Sequence, residues 1–204
     1  MYKKEIAKTI NCPQCGDLLE IHFRWTKLIS CKSCKSSIFL EDDGSLNIGE
    51  KSSLSPEPSL LNLYKAVTID KKSYLPIGKI RYSYGRGFWE EWFLKDNQNQ
   101  EFWLSIDEGD FVLQQKINMK LPFSNPLSAK VGKKYGSYLV SERGTGECVG
   151  FEGELPESIE IGQSHFYLHL DLGEGGLITI EVTAKETQAF SGKWIDPLTI
   201  KGVY

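Results

Sequence analysis

The chain has 204 residues, of which 40% are apolar, 12% aromatic and 25% charged, with a formal net charge of −3. Those figures exclude a disordered, collagen-like or disulfide-dense chain and fit one large unit plus a small one. No apolar run approaches the roughly 20 residues of a membrane-spanning helix, and Met1-Tyr2-Lys3-Lys4-Glu5-Ile6 has no secretory character, so a cytoplasmic protein with reduced cysteines is expected.

The first element is Cys12-Pro13-Gln14-Cys15-Gly16, followed by a spacer from Gly16 to Ser30 and then Cys31-Lys32-Ser33-Cys34. Two residues between paired cysteines let one tight turn aim both sulfurs at a single ion while turn amides bond the thiolates. The spacer contains Leu18-Leu19-Glu20-Ile21-His22-Phe23-Arg24-Trp25, a β-prone run expected to form a short hairpin that returns the second pair to the first. This pattern resembles the zinc ribbon superfamily, and residues 1–42 are expected to be such a ribbon. A structural zinc contributes about 10–16 kcal/mol to the folding of small sites, so the ion replaces a core. Four sulfurs leave no open position for substrate; an iron–sulfur or redox dithiol site is the alternative.

Residues 1–40 hold seven Lys or Arg against Glu5, Asp17 and Glu20, a local excess of positive charge over an acidic remainder. Four thiolates around zinc add about −2, which leaves too little for a phosphate-binding stripe. From Asp42-Asp43-Gly44-Ser45 to Ser55-Pro56-Glu57-Pro58 the text is polar and aperiodic, so residues 43–59 are expected to be a linker that holds the ribbon away from the second unit, with Leu46 or Ile48 as the one docking contact.

From residue 60 onward alternation and glycine punctuation predict about ten short antiparallel strands. Lys79–Tyr84 and Phe88–Leu94 form a hairpin around Gly85-Arg86-Gly87, followed by Glu101–Ser105 and Phe111–Leu113. Beyond Pro122 and Pro126 the predicted strands are Tyr138–Arg143, Gly146–Phe151, His165–Leu172, Leu177–Val182 and Gln188–Ile195. The expected fold is all-β, with residues 60–204 as an antiparallel β-sandwich or a pair of small barrels, in halves 60–120 and 130–204.

Tyr74-Leu75-Pro76-Ile77-Gly78-Lys79, Trp89-Glu90-Glu91-Trp92-Phe93-Leu94, Phe102-Trp103-Leu104-Ser105, Glu142-Arg143-Gly144, Gly150-Phe151-Glu152-Gly153-Glu154-Leu155-Pro156 and Gly192-Lys193-Trp194-Ile195 resemble, in that order, the bacterial family known as domain of unknown function 4178. The resemblance implies a β-rich domain that often follows a zinc ribbon. Members of that family tend to be encoded near membrane-stress proteins and polyamine-synthesis enzymes, so the resemblance implies action alongside such proteins, but no activity and no catalytic residues.

The chemistry-bearing residues are therefore read one by one. His165 and His169 lie in an alternating strand, about 13 Å apart, and cannot share one ion. Glu90 and Glu91 point to opposite faces, one toward solvent, which disfavours a glycosidase pair. Glu142, Glu152 and Glu154 are expected to form hairpin ion pairs near Arg143, and Cys148 to be core. Gly173-Glu174-Gly175-Gly176 reads as a hairpin turn, since a strand follows it. A candidate binding surface comprises Trp89, Glu91, Trp92, His165, Tyr167 and His169.

The expected function is a non-enzymatic interaction or adaptor protein with a structural zinc ribbon, binding a protein partner through its β domain. The alternative is nucleic-acid binding through Arg24, Trp25, Lys27, Lys32 and Lys35. The third reading, an enzyme, would be favoured by a polar pocket that joins Glu91, Glu142 or Glu154 with a histidine.

Overall fold

A computed structural model of the protein describes residues 5–202. The described residues are almost entirely β, as expected. β1 (Lys8–Asn11) and β2 (Leu18–Ile21) pair across the first cysteine turn, and β3 (Leu28–Ser30) and β4 (Ser36–Leu40) pair across the second. The spacer is thus not a hairpin: β2 and β3 belong to different sheets. Residues 22–26 between them form a loop that turns toward the larger unit, because its backbone amides find a carboxylate there.

The larger unit contains β6 (Val67–Ile69), β7 (Lys72–Ser83), β8 (Phe88–Asp96), β9 (Glu101–Asp107), β10 (Asp110–Ile117), β11 (Lys134–Tyr135), β12 (Tyr138–Leu155), β13 (Ser164–Gly173), β14 (Gly176–Val182), β15 (Thr187–Trp194) and β16 (Lys201–Gly202). Eight of these follow one another in the antiparallel order β7-β8-β9-β10-β15-β14-β13-β12. Pairing of β12 with β7, from Glu147 opposite Ser83 to Gly153 opposite Gly78, closes the ring. The two sequence halves therefore complete a single barrel. Closure removes free edges, and eight strands leave an interior wide enough for side chains or one small ligand.

β12 makes this possible because it is 18 residues long. Its first part pairs with β13, its middle with β7, and its last residues Glu154 and Leu155 with Ile29 and Leu28 of β3. The ribbon sheet and the barrel are consequently one hydrogen-bonded surface. β5 (Leu46–Lys51) extends that sheet by pairing with β4.

The segment expected as a linker is built into the structure. Ser52 Oγ donates to Phe151 O and accepts from Phe151 N, both at 2.6 Å, and Arg81 Nη1 donates to Ser55 O and Oγ at 3.2 and 3.0 Å. Short polar side chains that resemble linker composition here satisfy backbone groups beside the irregular pairing of Cys148 and Gly150.

Alternation decides where the cores lie. Outward-facing Leu168, Leu170, Ile178 and Ile180 are covered by the excursion carrying Met119, Leu121, Phe123 and Ala129. Outward-facing Trp92, Leu94, Leu104 and Leu113 are covered by Leu61, Val67, Ile195 and Ile200. One end of the interior is apolar, with Leu75, Ile77, Ile80, Phe93, Phe151 and Leu155 packed against Phe23 and Leu28 of the ribbon. Phe23 meets Phe93 edge-on at 5.3 Å between ring centres.

Candidate functional site

The four cysteine sulfurs lie within 4.8 Å of one another. Cys12 and Cys34, and Cys15 and Cys31, are each separated by 3.7 Å, close to the roughly 3.8 Å edge of a tetrahedron with sulfur about 2.3 Å from its centre. Each turn is closed by one amide, Gly16 N to Cys12 O at 2.8 Å and Lys35 N to Cys31 O at 2.9 Å. Gly16 and Lys35 take left-handed φ of 79° and 65° at equivalent positions. Ser36 Oγ lies 3.4 Å from Cys34 Sγ and lowers that thiol to about 6. The donor set can hold a metal ion. The basic residues of the ribbon are largely engaged: Arg24 lies over Trp25 at 4.3 Å, Lys32 over Tyr64 at 4.7 Å, and Lys27 is paired with Asp42.

The junction between ribbon and barrel centres on Glu154, which is 0% exposed. Its carboxylate accepts from His22 N at 2.9 and 3.0 Å, Phe23 N at 3.0 Å, Thr26 Oγ1 at 3.0 Å and His22 Nδ1 at 2.8 Å. Lys95 Nζ donates to His22 O at 3.0 Å. The expected hairpin ion pair near Arg143 is not its role; it is a fully bonded clasp for the 22–26 loop. Arg143 instead donates to Ala129 O at 2.6 Å.

The polar part of the barrel interior is the second site. A void of about 50 Å³ is lined by residues from five strands, including Trp89, Glu91, Glu142, His165, Tyr167 and His169. Five members of the candidate binding surface thus converge, and Glu142 joins them. Trp92 does not: it is 2% exposed on the outer face, and its Nε1 donates to Glu90 Oε2 at 3.0 Å. Neither glutamate of the adjacent pair faces solvent, with Glu90 7% and Glu91 9% exposed. Glu90 is held outside by Arg81 Nη2 at 2.7 Å and Lys79 Nζ at 3.5 Å. Glu91 is held inside by Trp89 Nε1 at 3.1 Å.

Burial sets the electrostatics of this interior. It raises Glu91 to about 7, partly opposed by bonds from Ser105 and Trp89. Glu181 is pushed well above the carboxylate range by burial and then by Glu91 and Glu157, while Glu157 and Asp107 are raised chiefly by burial. Burial lowers His165 to about 4, so its imidazole is neutral near pH 7. At the rim Glu142 is lowered by the hydrogen bond from His169, 3.2 Å away, and accepts from the Tyr167 hydroxyl at 2.9 Å. Cys148 is a buried core residue whose thiol burial raises to about 11.

Two glycines of β12 shape the wall. A Cβ on Gly146 would stand 2.1 Å from the Trp89 ring and one on Gly144 2.6 Å from the Tyr167 hydroxyl; only a bare backbone lets both rings lie there. Sequence reasoning did not single out Ser105, Asp107, Gln114, Glu157, Thr179 or Glu181 as site residues. Their signal was the two-residue period itself: Thr179 and Glu181 alternate with Ile178 and Ile180, and Ser105 and Asp107 with Leu104 and Ile106.

Residues 65–197, well over half of the chain, match the family model described as a domain of unknown function, DUF4178. The chain belongs to the DUF4178 family. No curated protein and no solved structure matches it. In this DUF4178 member the matched span runs from just before β6 to just after β15 and so includes the whole barrel ring. The cysteine cluster lies outside it. Among the described residues no helix is long and apolar enough to cross a membrane.

Proposed function

We propose that the protein is a binding protein whose barrel takes a small molecule into its polar interior, with a zinc-held ribbon clasping the barrel's apolar end. Zinc suits the four-thiolate set, and there it supplies a folding scaffold with no open coordination position. The observation that carries the reading is unsatisfied polarity inside a closed ring. Thr179 Oγ1 and Gln114 Oε1, on residues 3% and 4% exposed, have no hydrogen-bond partner. Buried polar groups are ordinarily bonded, so such groups lining a cavity favour a guest. The reading differs from the adaptor expectation in placing the ligand inside the barrel and not on an exposed face.

The test is a titration of isotope-labelled protein with the small-molecule fraction of a cell extract, following the indole signals of Trp89 and of Trp103, which lines the interior beside Gln114 and Glu181. Both are expected to shift, and Thr179→Trp, which fills the void, is expected to abolish the shifts. Unmoved indoles in the wild-type protein, or shifts unaltered by Thr179→Trp, overturn the reading.

The pocket also joins Glu91 and Glu142 with two histidines, which favours acid–base chemistry as a second reading, with Glu91 as the proton-exchanging group. Conversion of an extract component by wild-type protein but not by Glu91→Gln supports it; an unchanged extract removes it.

A further inference from the structure

Five carboxylates mark the interior in sequence. Asp107 and Glu142 stand at one opening with Glu91 and Glu181 beside the same void. Glu91, Glu181 and Glu157 surround a neck of about 10 Å³. Glu157 and Glu181 border the opposite opening, of about 320 Å³. The voids share walls, so the acids form a line through the barrel rather than a cluster at one point.

A line of acids is not by itself a site, and two neutral atoms supply the independent observation. Thr179 Oγ1 faces the first void and Gln114 Oε1 the neck, both buried and unpartnered. No hydrogen bond or ion pair reaches the Glu181 carboxylate among the described residues. Carboxylate and amide oxygens accept and a hydroxyl can accept, so a matching guest is rich in donors. The aromatic walls point the same way. Tyr82, Trp89 and Tyr167 turn rings toward the interior, with Trp89 stacked on Tyr82 at 5.1 Å and edge-on to Tyr167 at 5.4 Å. Such rings attract ammonium groups over their faces.

A single metal ion does not suit the arrangement. The four cysteines are the set of ligand atoms that converges within reach of one ion among the described residues; the interior carboxylates do not. A bulky ring does not suit it either, because a neck of about 10 Å³ has the room of about one water molecule. Three of the acids already have partners: Glu142 is engaged by His169, Glu157 accepts from Gln188 at 3.4 Å, and Lys116 acts on Glu157 and on Glu181. Lys27 and Lys185 sit at the wide opening, and Glu91 and Glu181 are in no ion pair among the described residues.

We infer that the barrel interior binds a slender organic cation, an unbranched chain bearing two or more ammonium groups that sit at successive carboxylates between aromatic walls. This rests on the reading of the interior as a small-molecule site and specifies its ligand class.

The experiment is calorimetric titration of the full metal-loaded chain with diaminobutane and diaminooctane, with butanediol and octanediol as neutral counterparts and magnesium chloride as the inorganic cation. A diamine is expected to bind at least about tenfold more tightly than its diol, since a buried charge pair is worth more than about 1.4 kcal/mol. Glu91→Gln and Glu181→Gln are each expected to weaken the diamine about tenfold or more, whereas Glu152→Gln, whose side chain pairs with Lys79 on the outer face, is expected to leave it unchanged. Unaltered melting of the Gln variants at low pH keeps a folding defect separate from a binding one. Equal binding of diol and diamine, indifference to both interior substitutions, or displacement of the diamine by magnesium overturns the ligand class. If the extract moves the Trp89 signal but no diamine binds, the site stands and this inference falls; if nothing moves the signal, both fall.

Discussion

Two carboxylate environments share the same barrel, one at the ribbon junction and one in the polar interior. At the ribbon junction Glu154 is fully enclosed and accepts from His22 N, His22 Nδ1, Phe23 N and Thr26 Oγ1. In the open interior Glu91 is bonded by Ser105 and the Trp89 indole, and no hydrogen bond reaches Glu181 among the described residues. Glu154 and Glu91 are both buried, yet the donors around each give them different chemistry. A carboxylate surrounded by donors is part of the fold, whereas one left short of donors stores a demand that protons or a guest must meet.

Three measurements can break or sharpen that contrast. The largest effect is expected from metal removal. A structural zinc contributes about 10–16 kcal/mol to such sites, so a chelator should unfold the ribbon and expose the amides of residues 22–26 to rapid hydrogen exchange, while β13 and β14 stay protected. Equal loss of protection in both regions would show that the barrel does not stand apart from its clasp. Next is Glu154→Ala, which strands the donors of His22, Phe23 and Thr26. It should cost about 3–5 kcal/mol in denaturant unfolding, and a cost below about 1 kcal/mol would mean that the junction is not held by this group.

The smallest concerns Glu91 and depends on pH. Its folded value of about 7 lies above the ordinary 4.5, so the folded state binds the proton more tightly than the unfolded one. Stability from this group is fully present below about pH 4.5 and lost as pH rises through about 7, a change of about 3 kcal/mol. Glu91→Gln should flatten that part of the profile. A wild-type protein equally stable at pH 5 and pH 8 would contradict the assignment of Glu91 to the interior.

Much of the local structure was legible in the sequence because local rules governed it. The cysteine spacing placed the four sulfurs, and alternation placed the strands from Lys79–Tyr84 onward. The hairpin turn at Glu174 and Gly175 followed from its glycines and takes the left-handed φ of 52° and 78°. What escaped was set by pairing over long separations. His22 and Glu154 are 132 residues apart, and nothing near either one announces the other. Polar positions in His165–Leu172 read as a binding surface and not as the lining of an interior, since alternation gives the two sides of a strand but not which side a ring encloses. Ser52 and Ser55 read as linker because a serine bonded to Phe151 has the same letter as one bonded to water.

The long strand β12 couples those distant parts, and its position has a consequence for biosynthesis. The loop beside the ribbon cysteines must wait for Glu154, which is made 132 residues after His22. Until then Phe23 and Leu28 have no barrel to cap, so the nascent chain carries an unburied apolar tip over that interval, a natural point of contact for a chaperone.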